Sequence, residues 1–169
     1  MKIKATVTAL MVLGCSLGYA DLAWAQTCTA SGTFTGASYA GTTCGANAAF
    51  VKVCQNGDTL GSSALDAVQV NVGAGNSNLN FTLTTPAFTP EVAVIASPCS
   101  ANSSCIVDQE SATTGTAGTP ASISTGSLGT LAAGTYFVLV FDTNDGLCGS
   151  YNLTATGTLP VKLENFSVN

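Results

Sequence analysis

Histidine and arginine do not occur in this 169-residue chain, and charged residues make up only 8% of it. Without an imidazole there is no Ser-His or Cys-His nucleophile pair and no histidine to ligate a metal. Lys+Arg total 4 against 9 Asp+Glu, and Lys52 and Lys162 are the only cations after residue 25. Displacing counterions from a phosphate backbone needs a positive field, so nucleic-acid binding is excluded. The sole tryptophan, Trp24, lies near the N-terminus, which leaves few flat aromatic platforms for sugar rings. No CxxC pair is present, so a zinc site is a poor use of the cysteines. No apolar run makes a comfortable membrane span: the longest, at residues 5–20, ends at Asp21.

What the N-terminus does contain is an export pattern. Residues 1–4 form a basic segment, residues 5–20 an apolar one, and Ala23-Trp24-Ala25 supplies small residues for cleavage. Residues 1–25 are therefore expected to be a signal peptide cut near Ala25, giving a secreted or cell-surface protein with no transmembrane segment in its mature chain. The alternative is a lipoprotein anchored at Cys15, because Val12-Leu13-Gly14-Cys15 resembles a bacterial lipobox. Under the first reading six of the 7 cysteines remain: Cys28, Cys44, Cys54, Cys99, Cys105 and Cys148. An even number in an exported domain implies three disulfides, with connectivity open. The short spacing of Cys99 and Cys105 makes that pair the favoured one. The other four are expected to tie the N-terminal segment to the domain and to fasten Cys148 beside the last hairpin.

The apolar pattern has period two, the signature of half-buried strands. Val68, Val70 and Val72 alternate with Gln69 and Asn71; Leu79, Phe81 and Leu83 alternate with Asn80 and Thr82; Val92 and Val94 flank Ala93 before Ile95. Shorter strand candidates lie at 49–54, 106–107 and 122–131, and only 62–67 hints weakly at a helix. Turn residues cluster at 73–76, 86–90 and 115–120. The stretch 113–125, rich in Gly, Thr, Ser and Ala, reads as a long surface loop leading into an edge strand. Residues 136–141 are apolar at every position, which marks a central strand covered on both faces. Tyr136, Val138 and Val140 are expected in the core. Phe137, Leu139 and Phe141 then meet a loop or strap, or else form a contact surface for a partner. Together these features predict an all-β antiparallel sandwich, jelly-roll-like, with about eight strands and disulfide stabilisation. Residues 26–65 are read as a disulfide-rich strap or first strands, 66–159 as the sandwich core and 160–169 as a tail or last strand.

Within that core, Leu128-Gly-Thr-Leu131-Ala-Ala-Gly134-Thr-Tyr136-Phe-Val138 and Gly149-Ser-Tyr151-Asn-Leu153 follow Pro86-Ala-Phe88-Thr-Pro90-Glu-Val-Ala-Val94 and the loop between Cys99 and Cys105. This order resembles the bacterial pre-peptidase C-terminal (PPC) domains over about residues 66–159. The resemblance implies a jelly-roll-like module without catalytic residues, of the kind appended to secreted hydrolases. The residues themselves support fold-building roles: Gly134 for a tight turn, the Tyr136 hydroxyl for a backbone group, Gly149 for the return and Tyr151 for stacking across strands. The tail from Leu159 resembles segments that follow the last domain of exported bacterial proteins and often precede a sorting or anchoring module.

Chemistry has few places to reside. Asp108 with Glu110, or Asp142 with Asp145, are the carboxylate pairs a glycosidase would need, yet aspartate is favoured in turns for its own reasons and a solvated loop explains each of them. Asp142, Asn144 and Asp145, with Gly146, form a calcium candidate, but Leu153 stands where an EF-hand loop places its closing glutamate. The expectation is a non-catalytic exported module, with calcium at this turn as its one cofactor candidate. Its role would be accessory, binding or surface-structural. The partner would be an extracellular protein or polysaccharide, and the alternative is a carbohydrate-binding or adhesion module or a subunit of a surface assembly.

Overall fold

A computed structural model describes residues 27–45, 54, 65–74, 78–100, 103–143 and 146–157. The residues expected to form a signal peptide or lipobox, residues 49–53 of the strand candidate at 49–54 and the expected tail at 160–169 lie outside them, as do Asn144 and Asp145. Among the described residues there is no helix, and nine strands run in the order β1 (Gly32–Phe34), β2 (Ser38–Thr42), β3 (Asp66–Val72), β4 (Asn80–Thr85), β5 (Pro90–Ala96), β6 (Cys105–Glu110), β7 (Ala121–Ser124), β8 (Gly134–Asp142) and β9 (Ser150–Thr156). They form a five-stranded sheet, β1-β3-β8-β5-β6, and a four-stranded sheet, β2-β9-β4-β7. Every pairing is antiparallel except β1 with β3.

The period-two pattern builds the core directly. Val68, Val70 and Val72 of β3 and Val138 and Val140 of β8 face Phe81 and Leu83 of β4 and Leu153 of β9 across the space between the sheets. Each such buried side chain contributes about 1.5–3 kcal/mol relative to exposure. Phe34 and Phe81 meet edge-on with centroids 5.8 Å apart, the arrangement ring quadrupoles favour. The N-terminal strands therefore belong to the sandwich: β1 carries Phe34 into its core, and β2 packs Tyr39 against it.

The second face of β8 is also covered. Leu139 and Phe141 are buried with Ile95, Ala93 and Leu65, and Cys28, Cys54, Cys99 and Cys105 pack in the same cluster. That is why β8 is apolar at successive positions: its odd residues meet a disulfide-bonded layer while its even residues meet the opposite sheet. A strap, rather than an open contact surface, occupies this face.

The six cysteines after residue 25 are paired, Cys28 with Cys99, Cys44 with Cys148 and Cys54 with Cys105. The pairing of Cys99 with Cys105 expected from their spacing is not formed. Cys105 enters the β5–β6 ladder opposite Ile95, whereas Cys99 lies beyond the Ser97–Pro98 turn. There the N-terminal segment crosses, its Cys28 N–H donating to the Cys99 carbonyl at 3.2 Å. A backbone crossing thus outweighed sequence proximity. Three such bonds mark a protein of an oxidising compartment.

Two further expectations change. The helix hint at 62–67 gives way at Asp66 and Ala67, which start β3. The strand candidate at 122–131 shortens to β7, after which Leu128 and Leu131 pack on the core from a loop without extending the strand. The 113–125 stretch is the expected loop into an edge strand, tightened by a bridge between Thr116 and Thr119.

Candidate functional site

Asp66 is the polar side chain most out of keeping with its position. It opens β3 on the same face as Val68, Val70 and Val72, and it is buried. A carboxylate there needs a donor, because an unpaired buried charge is far more costly than a neutral group. The Tyr151 hydroxyl supplies it, donating to Asp66 Oδ2 at 2.7 Å from β9. Burial, and then the hydrogen bond to Asp66, push the Tyr151 phenol well above its ordinary value, so it stays protonated as a donor. Gly41, opposite Tyr151 in the β2–β9 ladder, makes room for that ring: a Cβ there would collide with the Tyr151 hydroxyl. Tyr39 lies beside the ring, with centroids 6.4 Å apart.

Tyr136 uses its hydroxyl locally, donating to the Ala132 carbonyl at 2.9 Å across the turn into β8. This is the backbone role the sequence suggested. Tyr136→Phe is expected to cost about 1 kcal/mol, the net value of one such hydrogen bond, read as a shift in urea midpoint with an unchanged slope. Gly134 departs from its expected role: it does not adopt a positive φ, and a Cβ on it meets nothing closer than Tyr136 Cε2 at 3.8 Å. Gly149 is needed, but for close approach and not for turn geometry, since a Cβ there would overlap that of Ala87.

At the β8–β9 turn the Asp142 carboxylate is buried and accepts two backbone N–H groups, from Thr89 to Oδ1 at 3.0 Å and from Leu147 to Oδ2 at 3.1 Å. Asp142 therefore staples this turn to the β4–β5 connection. Its calcium partners Asn144 and Asp145 fall outside the described residues, and so does the second member of the Asp142/Asp145 carboxylate pair. No cluster of three or more His, Cys, Asp or Glu able to hold a metal occurs among the described residues. Asp108 and Glu110 stand two apart on β6, on the face that carries Glu91 directly opposite Glu110.

The four-stranded sheet turns an unusual surface outward. Ser38, Thr154, Thr82 and Ser124 form one row across all four strands, and Ala40, Asn152, Thr84 and Ser122 form the next. No residue in these rows is charged or larger than asparagine. Some hydroxyls are joined across strands, as Thr84 Oγ1 is to Ser122 Oγ at 3.0 Å. The tyrosines of the flanking strands point the other way, Tyr151 buried and Tyr39 half-buried against the core.

The chain matches no protein-family model, no curated protein and no solved structure.

Sequence reasoning passed over the Asp66–Tyr151 pair, although a signal was present. Asp66 shares the parity of three core valines, and a carboxylate in phase with a buried face calls for a partner. The partner lies 85 residues away, which only the sheet order reveals.

Proposed function

We propose that this is an exported, non-catalytic β-sandwich module of PPC-like type, released by cleavage near Ala25, with an accessory, binding or surface-structural role. The observation that carries it is the set of three long-range disulfides, spanning 71, 104 and 51 residues, around a core whose polar groups are used up in holding the fold. Asp66, Asp142, Tyr136 and Tyr151 each have a structural partner. A nucleophile–base pair has no histidine to draw on.

A carbohydrate-binding or adhesion module is the second reading. The uncharged hydroxyl and amide rows of the four-stranded sheet favour it, since neutral polyols are matched by neutral donors and acceptors. The inward tyrosines count against it, because sugar platforms stack on exposed rings.

Intact-mass analysis after expression with the natural leader tests the main reading. The expected product is extracellular or periplasmic, begins at Gln26 and has no free thiol. A reduced cytoplasmic product would overturn it, and a mature chain beginning at an acylated Cys15 would replace secretion with anchoring. Retention on insoluble polysaccharide would favour the second reading.

A further inference from the structure

The four ends of the two sheets are not equally guarded. β6 carries Asp108 and Glu110 and a register shift against β5 between Val94 and Ile95. β7 has 4 residues and follows Pro120; β1 has 3. Charge, irregularity, proline and brevity are the devices that stop edges from pairing with other chains. β2 has none of them: its five residues, Ser38-Tyr-Ala-Gly-Thr42, are uncharged, proline-free and in unbroken register with β9.

The backbone of β2 is also poised to pair. The Ala37 carbonyl accepts from Ala155, and the Thr43 N–H donates to Gly149, so odd-numbered residues bond toward β9. By alternation, the N–H and C=O groups of Ser38, Ala40 and Thr42 point away from β9, toward the side on which β2 has no neighbouring strand among the described residues. All three residues are exposed.

We propose that β2 is a self-association edge, and that its occupant is the β2 strand of a second copy of this chain. Two copies related by a two-fold axis through Ala40 would place Ala40 opposite Ala40 and Ser38 opposite Thr42. These are the residues with outward-facing backbone groups, so each pair would exchange both of its hydrogen bonds. An uncharged edge such as this one meets its own copy without repulsion. Their outward-face side chains, serine, alanine and threonine, are small enough to lie side by side. The uncharged rows of the four-stranded sheet would then continue across the junction. A head-to-tail filament through β7 is the less favoured arrangement, since β7 is short and bounded by Pro120.

This inference deepens the surface-structural reading above and rests on the exported, oxidised fold. Export and disulfide formation are read separately, so a failed pairing is distinguishable from a failed module. So short an edge buries little apolar area, which places dissociation at about micromolar to millimolar concentration.

Sedimentation equilibrium of the oxidised full chain, up to about millimolar protein, is the test. The expected wild-type result is a monomer–dimer equilibrium. Ala40→Pro removes an N–H that faces away from β9, and Ala40→Lys sets two like charges opposite each other at the axis. Each is expected to weaken the dimer by about fivefold or more. An equal mixture of Ala40→Lys and Ala40→Glu should recover a mixed dimer by charge pairing. A wild-type protein that stays monomeric, or an Ala40→Pro dimer as strong as wild type, overturns the proposal. Loss of self-association in Ser122→Pro but not in Ala40→Pro overturns it in favour of β7. Far-UV circular dichroism and thiol titration confirm that each variant is folded and oxidised.

Discussion

Replacing Cys44 and Cys148 together by alanine is expected to lower the unfolding free energy by about 4–5 kcal/mol, the largest effect of any change considered. The bond joins residues 104 apart. Closing a loop of that size in the unfolded chain removes entropy worth about 4.7 kcal/mol at room temperature. The same relation puts the other two bonds, at separations of 71 and 51, within about 1 kcal/mol of it, so loop size alone does not rank them. Position does. Cys28–Cys99 and Cys54–Cys105 pack in one cluster over the outer face of β8, where either bond still pins the strap when the other is lost. Cys44–Cys148 stands apart and fixes the end of β2 to the loop before β9. There Thr43 is buried, donating its N–H to the Gly149 carbonyl at 3.0 Å and accepting the Gly149 N–H on Oγ1 at 3.1 Å. Domains of this kind have about 5–15 kcal/mol in total, so the double variant would sit close to the unfolding threshold at 37 °C. Urea titration of the oxidised proteins measures it. A loss below about 1 kcal/mol would mean that the bond does not constrain the chain.

Much of this architecture was legible in the residues, and the limits are physical. β3 and β4 announced themselves because alternation of valine, leucine and phenylalanine is dictated by a strand with one buried face, and the Val92-Ala93-Val94-Ile95 run marked β5. The double-sided burial of β8 followed from six successive apolar positions, and the strap that covers Leu139 and Phe141 is what those positions required. β1 and β2 were hidden for the opposite reason. They are edge strands of Gly, Ser, Thr and Ala with one large inward side chain each, Phe34 and Tyr39, so their pattern is carried by backbone pairing, not by apolar alternation. The cysteine pairing could not be read, because it depends on where the N-terminal segment meets the chain beyond the end of β5, a long-range contact. Asp142 was expected in a solvated turn, but it closes β8 and is buried, its carboxylate held by the N–H groups of Thr89 and Leu147, and only the first of these needed the fold to bring it near.

The buried pair at Asp66 yields the second large effect. Tyr151→Phe keeps the ring and its volume but removes the one donor to Asp66 Oδ2 among the described residues. The expected cost at pH 7 is about 3 kcal/mol, because a carboxylate left buried without its partner keeps its full desolvation penalty. Adding Asp66→Asn to Tyr151→Phe removes that charge, so the double variant should be more stable than Tyr151→Phe alone. An alkaline titration separates this account from simple loss of packing. The phenol ionises near its ordinary value of 10.0 in the unfolded chain, whereas burial and then the Asp66 hydrogen bond hold it protonated at higher pH in the folded one. Above pH 10 the folded state thus binds more protons than the unfolded state, and stability falls as pH rises. The slope attributable to Tyr151 is about 1.4 kcal/mol per pH unit, and below pH 10 its contribution is fully present. Tyr151→Phe lacks this slope, so its deficit relative to wild type should narrow by about 1 kcal/mol between pH 10 and 11, where the unfolded phenol is still completing its ionisation. Curves that run parallel through this window would show that the hydroxyl is not the buried donor that holds Asp66 inside the sandwich.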